Sequence, residues 1–301
     1  MAIVCATHFT QSSIDALHVA AMLAFRTRQK LWLCCVVPGT ASSDDDAKHS
    51  QLENEATALR EAGVDVETAL LHGQLERSLG RLCHDVAAQL LVVGDTSHMR
   101  NGAFATPVDR IAEGVSVPTL VVKSARPFEA WALGQKPLKV LLAIDHSWSS
   151  MLARNWLTRL AGYGALDVVA THVWSPDEEA ARHGKASPPS DAETEAMSAQ
   201  LVDDTHAALR GLPTNVQTRV QLEVGRGNVG ALLLSLAARE QVDVMVLGTH
   251  PHRGLLGRLT SVTHEVLTNG LMSIALVPDE SPSALTDQGA RAALAAQQRS
   301  R

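Results

Sequence analysis

Short apolar runs alternate along this chain with stretches in which apolar residues return every three or four positions, and the alternation persists almost from end to end. Runs at residues 2–6, 31–37, 64–71, 90–93 and 119–122 are rich in Val, Leu and Cys and lack polar alternation, the pattern of strands buried on both faces. Between them, residues 12–25 place Ile14, Leu17 and Ala21 on one helical face, residues 44–61 form an acidic-to-mixed amphipathic helix, and residues 75–87 form another. A second series of strands follows at 139–144, 167–172, 218–224, 243–247 and 274–277. Strand–helix alternation with connections of this length predicts parallel strands covered by helices on both sides.

The two series are copies of one pattern. Residues 4–13, VCATHFTQSS, match residues 141–150, LLAIDHSWSS, at an offset of 137, and Leu90-Leu91-Val92-Val93-Gly94 match Val244-Met245-Val246-Leu247-Gly248 at an offset of 154. The difference of 17 residues is expected as an insertion at 175–191, SPDEEAARHGKASPPSD, whose Pro, Ser, Asp and Glu read as an exposed, mobile loop. Residues 124–137 carry two prolines and no clean periodicity, which predicts a boundary there. The expected organisation is a first domain over 1–124, a linker over 125–137, a second domain over 138–279 and an Ala/Gln/Arg-rich tail over 280–301, a surface helix or a frayed end. The fold class that follows is α/β: two tandem, open, parallel five-stranded sheets related by a pseudo-two-fold axis, with helices on both faces.

A chain of 301 residues suits two domains of about 150 residues each, and 46 % hydrophobic content is enough for two cores. The net charge of −6 offers no footprint for a polyanion, and 3 % aromatic residues make a poor stacking platform, so nucleic acid is not expected as a partner. No apolar run approaches the ~18 residues of a membrane span, and the start runs directly into strand-like sequence, so no membrane partner and a cytoplasmic location are expected. Cys5, Cys34, Cys35 and Cys83 show no CxxC spacing, and they read as reduced core residues.

Open parallel sheets bind ligands beyond the carboxyl ends of their strands. In the second copy this directs attention to Ala143, Ile144 and Asp145 and to the loop that begins at Gly248. That loop holds His250, Pro251, His252, Arg253, Gly254, Gly257 and Thr260, and Ser261-Val262 open a helix to Asn269. Glycines, basic groups and a helix N-terminus can meet a phosphate chain; the same Gly and Ser residues also serve as ordinary turn and N-cap residues. His250 and His252, with His98 in the first copy, have no Cys or carboxylate cluster to complete a metal shell, and Asp145, His146 and Ser147 lack the elbow of a hydrolytic triad.

Over 1–124 and 136–279 the tandem units, each ending in a Gly-containing loop, a short helix and a strand such as VPTLVVK, resemble the universal stress protein family in its two-domain form. The nucleotide-binding branch of that family has a G-x2-G-x9-G-[S/T] loop after the fourth strand and an Asp after the first. The second copy keeps Asp145, Gly248, Ser261 and Val262, with Pro251 and Thr260 where two glycines belong, and Gly225-Arg226-Gly227 resembles the G-x-P element after the third strand. The first copy departs further, with His8 for the Asp, Ser97 for a glycine, Ala105-Thr106 for Gly-Ser and a shorter loop. The resemblance implies a stress-response protein, regulatory or protective, that binds ATP or another adenine nucleotide, with Mg as its accompanying ion, in the second domain. The residues it assigns are Ala143, Ile144, Asp145, Val173, Gly225, Gly248, His250, Arg253, Gly254, Gly257, Thr260, Ser261 and Val262. The alternative is a nucleotide-independent scaffold or interaction protein with both sites degenerate. Catalysis would extend at most to slow hydrolysis of nucleotide phosphate. The last strands, at 119–122 and 274–277, are expected to pair within the chain, and a homodimer stays open.

Overall fold

The computed structural model describes residues 2–41, 45–96, 106–182, 184, 188–225, 227–249 and 261–279. The first half runs β1 (Ala2–Ala6), α1 (Gln11–Thr27), β2 (Lys30–Val37), α2 (Asp45–Glu61), β3 (Val66–His72), α3 (Leu75–Asp85), β4 (Ala88–Gly94), α4 (Pro107–Gly114) and β5 (Thr119–Val122). After α5 (Arg126–Ala132) the second half runs β6 (Leu138–Ala143), α6 (Trp148–Ala161), β7 (Leu166–Trp174), α7 (Pro176–Arg182), α8 (Asp191–Ala208) and β8 (Val216–Val224). It closes with α9 (Val229–Arg239), β9 (Val244–Thr249), α10 (Ser261–Asn269) and β10 (Ser273–Pro278).

Each half contributes five mutually parallel strands, but they join into one ten-stranded sheet of order β3-β2-β1-β4-β5-β10-β9-β6-β7-β8. The expectation of two separate sheets is corrected at one place: β5 and β10 pair antiparallel, with Val121 opposite Ile274 and Leu120 opposite Ala275. Polar contacts reinforce this seam. Lys123 donates its backbone N–H to Ser273 Oγ at 3.2 Å and its Nζ to the Leu267 carbonyl at 3.3 Å. His264 Nδ1 lies 3.1 Å from Asp109 Oδ1, linking α10 to α4.

Side chains alternate between two apolar layers because successive strand residues point to opposite faces. Ile3, Val140 and Val246 pack with residues of α1, α2, α5 and α6 on one face, and Val4, Leu141 and Met245 with residues of α3, α4, α9 and α10 on the other. The sheet's outer edge strand β8 is exposed at Gln217, Thr218 and Arg219, so its sequence alternates where the inner strands do not.

Two segments are more ordered than their composition suggests. The boundary at 124–137 contains α5, which carries a proline in its first turn, where a missing N–H costs nothing. Phe128 and Trp131, three positions apart, are both buried. Trp131 Nε1 donates to the Ala165 carbonyl at 2.8 Å, while Arg26 donates to the Ala132 carbonyl, so α5 bonds to both halves. A seven-residue helix is too short to show a period in sequence. The insertion at 175–191 likewise contains α7, with acidic residues in its first turn and Ala180 buried, and runs into α8, which Ser190 caps in a capping box with Glu193. The tail over 280–301 lies outside the described residues.

Phe128 is fully buried in the apolar layer that also holds residues of α1 and β6. Phe128→Ala is expected to lower unfolding free energy by about 3–5 kcal/mol, read from urea denaturation of the full chain.

Candidate functional site

The carboxyl ends of β6, β7 and β9 open into a cleft of about 280 Å³, roofed by the first turns of α6, α9 and α10. Of the residues expected from sequence, Ala143, Ile144, Asp145, Val173, Gly248 and Val262 line it. Ser149, Ser150, Thr171, Val229, Leu233, Leu247 and Thr263 complete the lining. The sequence hid these because they are ordinary core or helix-start residues, and only the fold brings them together; the Ser149-Ser150 pair, repeated as Ser12-Ser13, was the one visible signal. Ser261 begins α10. Gly225 is not part of the lining: it follows β8, where its N–H donates to the Trp174 carbonyl at 3.0 Å and the tip of the Leu232 side chain would have to move to admit a Cβ. His250, Arg253, Gly254, Gly257 and Thr260 lie outside the described residues.

Gly248 has a packing reason to be glycine. A Cβ there would collide with the backbone of Ser149 and Ser150, and one on Gly94 would collide with Ser12 and Ser13. Both glycines let the end of a strand touch the start of the helix opposite. The turns entering those helices also match, since Phe9 and His146 both take left-handed φ, +62° and +58°.

Within this shared frame the two halves differ in chemistry. Asp145 Oδ1 accepts the Ser147 N–H at 3.0 Å. Burial pushes the Asp145 carboxyl up, but hydrogen bonds from Ser147 and Ser150 outweigh it and hold the pKa below the usual carboxylate value. In the first half His8 takes that position, and its ring spans Ser13 Oγ at 2.9 Å and Thr10 Oγ1 at 3.0 Å. The imidazole thereby spends its polar atoms on its own turn.

Behind Asp145, His172 Nδ1 donates to the Ile144 carbonyl at 2.7 Å, and the His172 ring stands 5.2 Å from that of His146. Burial lowers the His172 pKa, against the backbone hydrogen bond that raises it. Among the described residues no group of three or more His, Cys, Asp or Glu could hold a metal ion, and Asp145 is the sole carboxylate among the lining residues, so nothing in the cleft speaks for bound Mg. No helix among the described residues is long and apolar enough to cross a membrane.

Two outcomes follow from this geometry. Gly248→Ala and Gly94→Ala are each expected to cost about 1–3 kcal/mol or more in unfolding free energy without any ligand present, since backbone must shift to admit the methyl group. Burial makes the native fold hold the His172 proton more weakly than the unfolded chain, whose imidazole takes it up below about pH 6.5. Its lowered native pKa therefore makes stability fall as pH drops below that value and level off once the native pKa is passed. Urea denaturation of wild type and His172→Asn between pH 8 and 5 is expected to show a shallower acid loss in the variant.

Solved structures with the same architecture extend over nearly the whole chain. A universal stress protein from Archaeoglobus fulgidus matches 92 % of this chain and 98 % of its own at 14 % identity, with a TM-score of 0.63. A functionally unknown protein from Pseudomonas aeruginosa matches 92 % of each chain at 16 % identity, with a TM-score of 0.61. No curated protein sequence matches the chain significantly. At such identities these likenesses speak for the fold. The model of the universal stress protein family matches residues 138–278, the whole of the half that carries the cleft. Residues 138–278 thus carry a universal stress protein domain, and the whole chain shares the fold of two-domain structures of that kind.

Proposed function

We propose that the second half binds an adenine nucleotide in the cleft beyond β6, β7 and β9, and that the protein acts as a ligand-dependent regulator. The match of residues 138–278 to the universal stress protein family supports a role in stress response. The observation that supports a nucleotide is the convergence of the N-termini of α6, α9 and α10 on one cleft. The start of α6 already has the Asp145 carboxylate and the Ser147 cap, whereas α10 has no acidic residue in its first turn. An anion is favoured at a helix N-terminus, and Val262 and Thr263 carry that end of α10 to the cleft. The phosphates belong at α10, the sugar beside Asp145 at the mouth, and the base deeper in the cleft.

The cleft's volume lies at the lower end of the ~300–1,000 Å³ of small-molecule sites, which suits a nucleoside with its phosphates at the mouth. A regulatory role suits the chemistry better than turnover. Asp145 is committed to the α6 turn and stays ionised, so it is a poor general acid and a constrained base. The first half, with His8 bonded within its own turn, serves the assembly of the sheet.

Calorimetric titration of the full chain with ATP, ADP, AMP and adenosine tests this reading. Binding of at least one of the four is expected, and Asp145→Ala is expected to weaken adenosine and ATP alike by about tenfold or more, the loss of a hydrogen bond to a charged group. No heat from any of the four at millimolar concentration favours the nucleotide-independent scaffold instead.

A further inference from the structure

One polar group in the cleft has no use in the fold. Thr171 lies on β7, is 1 % exposed and lines the cleft, and its Oγ1 has no hydrogen-bond partner among the described residues. A buried hydroxyl without a partner is unfavourable, so its presence asks for a compensating contact.

The duplicated architecture supplies an internal control. Ala143 pairs with Thr171 as Ala6 pairs with Cys34, and the carbonyls of Thr171 and Cys34 each accept the next backbone N–H, from Ile144 and Thr7, at 2.8 Å. Cys34 is fully buried in the apolar layer. The same place in the same fold is therefore stable with a small, nearly apolar side chain. What distinguishes the second half is the cleft, so the Thr171 hydroxyl answers to the cleft's occupant.

Burial orders the site by depth. Asp145 is exposed at the mouth and Thr171 is buried at the inner end. Val173, Leu233, Leu247 and Val262 supply apolar walls. Such walls suit a flat heteroaromatic ring, and a hydroxyl at the inner end suits a ring whose leading edge offers a donor beside an acceptor, because Oγ1 can accept one hydrogen bond and donate another. We propose that Thr171 is a specificity-determining residue that hydrogen-bonds the leading edge of the base, so that the site selects a purine carrying an exocyclic amino group over one without it. This inference rests on the nucleotide reading of the same cleft.

The full chain, as wild type, Thr171→Val and Thr171→Ser, is titrated with AMP and with the monophosphate of purine riboside, which lacks the amino group. Wild type is expected to bind AMP about tenfold more tightly than the amine-free analogue. Thr171→Val, with the same shape and no hydroxyl, is expected to lose that preference while its unliganded melting temperature stays at or above the wild-type value; Thr171→Ser is expected to keep the preference. Equal binding of the two ligands by wild type, or an undiminished preference in Thr171→Val, overturns the role of Thr171 and leaves nucleotide binding standing. A Thr171→Val chain that fails to fold overturns it too, because the hydroxyl would then serve the fold. Failure of wild type to bind either ligand overturns the nucleotide reading and this inference with it.

Discussion

The antiparallel pairing of β5 with β10 is the contact on which the molecule's architecture depends. Residues 119–122, TLVV, are buried throughout, and β10 is as apolar. Either strand as a free sheet edge would present unpaired amides and carbonyls along an apolar surface, which favours association with other chains. Pairing them removes both edges at once and leaves only β3 and β8 as outer strands. The seam then places α4 beside α10 and gives Asp109, Lys123 and Ser273 their partners across it. The helix α5 joins the halves on the other face, with Phe128 and Trp131 buried in the shared apolar layer and hydrogen bonds to Arg26 and Ala165.

Duplication gave the halves one backbone, and divergence acted on the few side chains at the strand ends. The glycines at 94 and 248 and the left-handed residues at 9 and 146 are retained because the strand-to-helix approach requires them in any copy. Differences fall at positions the backbone does not constrain. His8 replaces an aspartate, and Cys34 stands where the other half has Thr171. These two changes turn a polar recess into a self-satisfied turn and an apolar core. The asymmetry of the protein is chemical rather than architectural.

The glycine at 248 shows how motif reading and physical reading can point at one residue for different reasons. As part of a Gly-containing loop it suggests close approach of a phosphate. In the fold its missing Cβ makes room for the Ser149 carbonyl, and the same demand holds at Gly94 in the half that has His8 in place of the aspartate. Glycine there reports on helix–strand packing first, and a ligand benefits because that packing brings the α6 N-terminus to the cleft.

Much of the fold was legible in the sequence because inner strands of a parallel sheet are continuous apolar runs and the runs occur twice in the same order. The tandem arrangement, the ten strands and Asp145 after the first strand of the second half could be read from local pattern and repetition, whereas the pairing of the last strands was implied only by the family resemblance. The helices α5 and α7 could not, since seven residues give too few turns for a period, and their prolines resemble those of loops until a first turn accommodates them. The rest of the cleft was decided only by tertiary structure. Thr171, Ser149, Leu233 and Thr263 lie on four elements far apart in the chain, and each has a bland local reading as strand or helix sequence. Local pattern determines which way a side chain points from its own element, whereas a cavity exists only where several elements fail to fill the space between them.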